Sequence, residues 1–222
     1  MKKWDVALTA ILVACALVTT GLVVRKEFFS ASAAPMLPAA KPVLIDEWRS
    51  IRDAGVTLDS PDAPVQLIEF ADFECPFCAS FHQTVQAVQK QYPDKIGVTF
   101  VHFPLQGHRF ALPAARAAEC AGEQGRFKSM HDLLFTQQNA FGLKPWSEFA
   151  AEAGVADLEQ FESCTQASTA LPRVESGQQV GERLQVRGTP TVIINGWQLS
   201  QPPSAGQLSA MVENILEGKD PT

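Results

Sequence analysis

The sequence predicts an α/β fold in which a mixed central sheet is covered by helices and an all-helical block is inserted midway. Three observations lead there. Val65–Ala71 and Ile96–Phe103 are short apolar runs on either side of a segment with helical period, a strand–helix–strand unit whose strands pair in parallel. Residues 111–164 then carry only helical patterns. Asn195-Gly196 joins two short strand-like runs, a hairpin signal that adds antiparallel pairing.

Taken in order, residues 1–26 contain Val6–Val24, nineteen residues without a charge. As a helix this run spans about 28 Å, close to the hydrocarbon thickness of a bilayer. Lys2 and Lys3 precede it and Arg25 and Lys26 follow, so flanking charge does not fix its orientation. The length predicts a single-pass membrane anchor; the body is expected on the extracytoplasmic, periplasmic side. One alternative is a signal peptide cleaved after Ala31-Ser32-Ala33, which would release the body to the periplasm. Another is lipoprotein processing at Leu12-Val13-Ala14-Cys15, against which the apolar run continues well past Cys15. Cys15 reads as a small apolar filler.

Residues 27–43 are rich in Ala and Pro and read as a linker, and residues 44–222 as one domain. Leu44–Asp53 is expected to form a short helix and Ser60–Pro64 a turn. After the strand Val65–Ala71, Cys75–Lys90 turns helical, with Phe81, Val85 and Val88 on one face. Ile96–Phe103 is apolar on both faces and therefore central. The helical insertion, about residues 105–170, holds Ala111–Ala121, Phe127–Gln137, Pro145–Ala153 and Asp157–Cys164. The helix Leu171–Leu184, the strands Thr191–Ile194 and Trp197–Leu199, and a closing helix Ser204–Glu217 capped by Ser204 complete the chain.

Composition narrows the function. Of 222 residues 46% are apolar and 19% charged, enough for a packed core. The net charge is −6; without residues 1–26, which hold four cations and one acid, it is −9. No basic cluster follows residue 26, which argues against nucleic-acid binding. Outside the first apolar run there are four cysteines, an even number that suits an oxidising compartment. No Ser-His-Asp, HExxH or phosphate-loop pattern is present.

Cys75-Pro76-Phe77-Cys78 lies between a strand and a helix. One helical turn brings its two sulfurs within bonding distance. Pro76 is tolerated in the first turn, where its missing N–H has no helical partner. The helix N-terminus presents free N–H groups and the positive end of the dipole to Cys75, which favours thiolate. A stable thiolate is a good leaving group, so the disulfide form is oxidising. The plainer readings are a static disulfide or half of a zinc site. A zinc ribbon needs a second close pair, and Cys120 and Cys164 stand 44 residues apart.

Three segments resemble the thioredoxin superfamily, specifically the DsbA-like thiol:disulfide oxidoreductases: Leu67–Cys78 (LIEFADFECPFC), Ala114–Phe135 (AARAAECAGEQGRFKSMHDLLF) and Val186–Gly196 (VRGTPTVIING). The similarity spans about residues 55–217. It implies a thioredoxin-like fold with Cys75 as nucleophile and Cys78 as the buried resolving cysteine. Pro190 would be cis beside them, and Thr189 would offer its backbone to an extended substrate. Glu69 matches a family position that carries an acid; in an apolar strand it reads as a proton acceptor and donor for Cys78, with a raised pKa. The alternative is an edge position where Glu69 reaches solvent. Phe77 stands where the strongest oxidants of the family place His, leaving the thiolate to the dipole and backbone alone and predicting a weaker oxidant.

Cys120 and Cys164 lie on insertion helices, and some relatives carry a second, structural disulfide in this region. They either pair across about 45 residues or remain independent buried thiols. His82 lies one turn after Cys78; it either tunes the site or binds a metal with the thiols, or is an ordinary, partly exposed histidine, which is the expectation. His102 reads as a satisfied core residue, and His108 and His131 form no recognisable constellation. The expected activity is protein thiol:disulfide exchange with cysteine-containing client proteins, running as an oxidant and needing no metal or organic cofactor. The resemblance implies reoxidation by a membrane partner of the DsbB or vitamin K epoxide reductase type. The rivals are a reductase or isomerase using the same site, and a binding or chaperone module with an inert CxxC.

Overall fold

The structure, a computed structural model, describes Trp4, residues 12–20 and residues 41–221. The chain divides into two units, Met1–Ala39 and Ala40–Thr222. In the first, residues 12–20 are helical and exposed. The rest of the expected anchor Val6–Val24, the Ala31–Ala33 site and the linker up to residue 40 lie outside the described residues. Among the described residues no helix is long and apolar enough to cross a membrane.

The second unit is a mixed α/β domain. Its elements are β1 (Val43–Leu44), α1 (Trp48–Ile51), β2 (Val56–Asp59), β3 (Val65–Ala71), α2 (Pro76–Gln91), β4 (Ile96–His102), α3 (Ala111–Glu123), α4 (Phe127–Thr136), α5 (Trp146–Glu152), α6 (Leu158–Gln166), α7 (Pro172–Arg183), β5 (Thr191–Ile194), β6 (Trp197–Gln198) and α8 (Ala205–Leu216). The sheet order is β1-β6-β5-β3-β4-β2. β3 and β4 run parallel, with Val65 opposite Ile96 and Ala71 opposite His102, and the other pairs are antiparallel.

The expected order of elements is present, with additions at both edges. The expected helix over Leu44–Asp53 shrinks to α1 and a 3-10 turn, and Val43, placed at the end of the linker, begins β1. β2 carries no strand signal in the sequence: four residues, none fully buried, give little hydrophobic period, and the strand forms because β4 offers it an edge. Asn195 and Gly196 both have positive φ, as the hairpin turn requires. Ser204 and Gln207 form a reciprocal cap at the start of α8.

All seven residues of β3 and all seven of β4 are buried. Alternation divides β3 between two cores. Val65 and Leu67 pack with Phe81, Val85 and Val88 of α2 and Leu208 and Val212 of α8. Ile68 and Phe70 pack on the opposite face with Trp48, Ile51 and Val186. A third core, built on Phe73, Phe100, Met130, Phe149 and Phe161, joins the insertion helices to the end of the sheet. Cys120 of α3 and Cys164 of α6 form a disulfide across this insertion. Closing a loop of that length stabilises by ~3–4 kcal/mol in the chain-entropy model.

Helix α7 crosses β4 closely at Gly177, where a Cβ would stand 2.3 Å from the carbonyl oxygen of His102. Gly177→Val is expected to lower the unfolding free energy by about 2–3 kcal/mol. Gly206→Ala in α8, where nothing lies within 4 Å of the new Cβ, is expected to raise it by about 0.5–1 kcal/mol. Urea titrations of the two variants check both signs.

Candidate active site

The chain leaves β3 at Ala71 and enters α2 at Pro76, with Cys75 as N-cap in extended conformation. The intervening turn is tightly held. Cys75 N–H donates to the Asp72 carbonyl (3.1 Å), and Cys78 and Ala79 N–H donate to the Cys75 carbonyl (3.1 and 3.2 Å). The buried Asp72 carboxylate accepts from Glu74 N–H (2.8 Å), Leu105 N–H (2.9 Å) and His108 Nδ1 (2.7 Å). Glu74 accepts from Phe110 N–H. From the insertion, the Gln138 side-chain amide donates to the Phe73 and Cys75 carbonyls (2.7 and 2.9 Å).

Both cysteines carry free thiols. Cys75 keeps 3% of its surface exposed and Cys78 none, so an incoming thiolate meets Cys75 first. The Thr189–Pro190 peptide is cis, and Cys75 Sγ lies 3.3 Å from the Thr189 carbonyl oxygen. Beside them a groove of about 620 Å³ runs along Val43, Val186, Arg187, Thr189, Pro190 and Leu199. Phe77 projects outward, 71% exposed.

The two thiols are electrostatically unlike. The Cys78 thiol donates to the Cys75 sulfur, and this hydrogen bond contributes most to holding Cys75 down at about 5, against the opposing effect of burial. The Thr189 side chain and the N–H groups of Cys78 and Phe77 add to it. Thiolate is therefore the prevailing form at pH 7. The expectation that dipole and backbone alone would hold this charge is thus corrected: two side chains share the task. Cys78 is raised well above the ordinary thiol range, first by burial, then by its bond to Cys75 and by the nearby Glu69.

Glu69 shares its sheet face with Val65 and Leu67, the face covered by α2. It is 3% exposed in a central strand, which excludes the alternative that it reaches solvent at an edge. Burial, and secondly the Cys75 charge, push it up to about 8. Among the described residues its Oε1 has no hydrogen-bond partner. A carboxyl that is protonated at neutral pH and lies near a thiol reluctant to ionise is placed to exchange a proton with it.

The profile of the thioredoxin family matches residues 53–214. The chain belongs to the thioredoxin family. Its fold is DsbA-like. BdbD from Bacillus subtilis superposes with a TM-score of 0.66 at 20% identity, over 81% of this chain and 98% of that one. The alpha-DsbA1 of Wolbachia pipientis gives 0.62 at 18% identity, over 74% and 92%. The Na(+)/H(+) antiporter NhaA 1 of Mycolicibacterium gilvum is 36% identical over 156 residues, 69% of this chain. The chain spans a quarter of that antiporter's length.

Three histidines of this thioredoxin-family domain differ from expectation. His82 is buried, at 6% exposure, because α4 of the insertion packs on it through His131 and Phe135. Burial lowers His82 to about 4 and lowers His131 as well. His108 belongs to the turn network: Asp72, Glu74 and Cys75 together raise it, against the opposing effect of burial. His102 accords with its core reading, its Nε2 lying 3.0 Å from Glu119 Oε1. Gln138 gave no signal in the sequence, since a glutamine 63 residues from Cys75 is joined to it only by the fold.

Two measurements test these electrostatics. The ultraviolet thiolate absorbance of the reduced protein should titrate with a midpoint near pH 5, and a midpoint near 9 would remove the Cys75 assignment. Glu69 is raised from 4.5 to about 8, so the stability of its protonated form is complete below pH 4.5 and lost as pH rises through 8. Glu69→Gln keeps the neutral form throughout. It should therefore stabilise the reduced protein by about 1–3 kcal/mol at pH 7 and remove this pH dependence.

Proposed function

We propose that this protein exchanges a Cys75–Cys78 disulfide with cysteine-containing client proteins and acts as an oxidant outside the cytoplasm. The observation that carries the reading is the division between a stabilised thiolate at Cys75 and a buried, protonated thiol at Cys78 within one helical turn. In the oxidised protein, a client thiolate attacks Cys75 Sγ. The Cys75–Cys78 bond breaks, a mixed disulfide forms, and Cys78 leaves as a thiolate that takes the Glu69 proton. A second client thiolate attacks the client sulfur of that mixed disulfide, and Cys75 leaves as thiolate. The client loses two electrons, and the Cys75–Cys78 pair gains them. Cys75 is the better leaving group because its charge is already held by Cys78, Thr189 and backbone N–H groups. Stabilising the reduced form in this way makes the disulfide more oxidising.

The groove beside Thr189 and Pro190 is the place for an extended client segment. Electrons would pass on to a membrane partner of the DsbB or vitamin K epoxide reductase type. An extracytoplasmic site is supported by the apolar run Val6–Val24, which would tether the domain, and by the Cys120–Cys164 disulfide, which suits an oxidising compartment.

The full chain, equilibrated in graded glutathione buffers and alkylated, should give a potential for the Cys75–Cys78 pair of about −120 to −150 mV. A value near about −250 mV or lower would make the protein a reductase, and a Cys75 that never exchanges would remove catalysis altogether. In single-turnover reduction by a client dithiol, Glu69→Gln is expected to slow proton-coupled release of Cys78 about tenfold or more. Unchanged rates would leave Glu69 without this role.

A further inference from the structure

The mechanism makes no use of a second cluster of ligating side chains. His82 lies on α2, and His131 and Asp132 lie on α4. One ring nitrogen from each histidine and one carboxylate oxygen lie within 4.8 Å of one another. His82 Nε2 faces Asp132 Oδ1 at 3.8 Å, and His131 Nδ1 lies 2.9 Å from the same oxygen. His82 is 6% and His131 3% exposed, and among the described residues the Nε2 atoms of both have no hydrogen-bond partner. Buried imidazole nitrogens without partners are uncommon, because an unmade hydrogen bond in the interior is costly. A cavity of about 20 Å³ touches all three residues, room enough for a single ion or water.

We infer that His82, His131 and Asp132 form a binding site for one divalent transition-metal ion of the zinc type, which clips α2 of the sheet domain to α4 of the insertion. Two imidazoles and a carboxylate are a ligand set suited to Zn(II) and its neighbours, with a fourth position left to water. Zinc bonds to nitrogen and oxygen are about 2.0–2.2 Å, which sets ligand atoms about 3.4 Å apart, so Asp132 Oδ1 must shift a little, toward His82 Nε2 at 3.8 Å and away from His131 Nδ1 at 2.9 Å. Asp132, about a third exposed, has the freedom to do so. The Lys128 ammonium lies 3.0 Å from Asp132 Oδ2 and already marks the place as attractive to a cation. Its side chain is half exposed and can swing into solvent as the ion enters. Cys78 lies one turn before His82 on the same helix, so the ion would fasten the helix that carries the thiols without touching them.

The test uses the full, untagged chain, stripped with chelator, with Cys75–Cys78 oxidised and Cys15 capped with N-ethylmaleimide, so that no thiol competes. Co(II) should bind one per chain, giving weak visible bands without a thiolate charge-transfer band, and Zn(II) should displace it. Asp132→Asn and His82→Gln should each lower zinc affinity about tenfold or more with unchanged circular dichroism. Lys128→Met, which removes the rival cation from an exposed position, should raise zinc affinity about threefold or more. Absence of one-to-one binding in the unsubstituted protein, unchanged affinity in both ligand variants, or no gain in Lys128→Met would overturn the site.

Discussion

The preference of Cys75 for its thiolate form is the feature on which the candidate site depends. The stability of that form comes from a few hydrogen bonds delivered by one turn of α2 and by Thr189. Each is short-ranged and directional, so the first turn of α2 must be held firmly relative to β5. Pro76 and Phe77 are exposed, so burial of the turn's own side chains adds little to holding it. The rigidity comes from outside. Asp72 ties the turn to the segment after β4 through Leu105 and His108, and Gln138 ties it to the insertion. The helical insertion thus braces the thiol pair as well as covering the end of the sheet.

Two acidic residues three positions apart illustrate how environment assigns roles. Asp72 lies just beyond β3 and receives hydrogen bonds from three donors. Glu69 lies within β3, between Phe100 and Val192 of the neighbouring strands, and its Oε1 receives none. Burial without donors disfavours the anion, so Glu69 keeps its proton at neutral pH. Such a group costs stability when it ionises. The same division separates the sulfurs: Cys75 is stabilised as thiolate, and Cys78, only three residues later, as thiol. Pairs of like groups pushed apart in this way are a common means of running acid and base chemistry in one site.

Much of the fold was legible because β3, β4 and α2 carry strong periodic signals, and because Asn195-Gly196 and Ser204 announce their own turn and cap. The edge strands β1 and β2 were not, since two and four half-exposed residues become strands only when a neighbour offers hydrogen bonds. The thiol pair announces itself because its chemistry is encoded in adjacent residues. The histidines do not. His82 looked like a surface residue because its burial depends on His131 and Phe135, about 50 residues away along the chain.

The sequence by itself therefore determined the fold class and marked out the Cys75–Cys78 pair, which depend on local pattern or on a short motif, and its resemblance to a family singled out Glu69. Tertiary structure decided the strength of the thiolate, the protonation of Glu69, and the gathering of Asp72, His108 and Gln138 around the turn. It also decided that His82, His131 and Asp132 meet. Each of these depends on which distant groups displace water from a given atom and which of them supply a hydrogen bond in its place. That is a property of packing and cannot be read from residues taken in order.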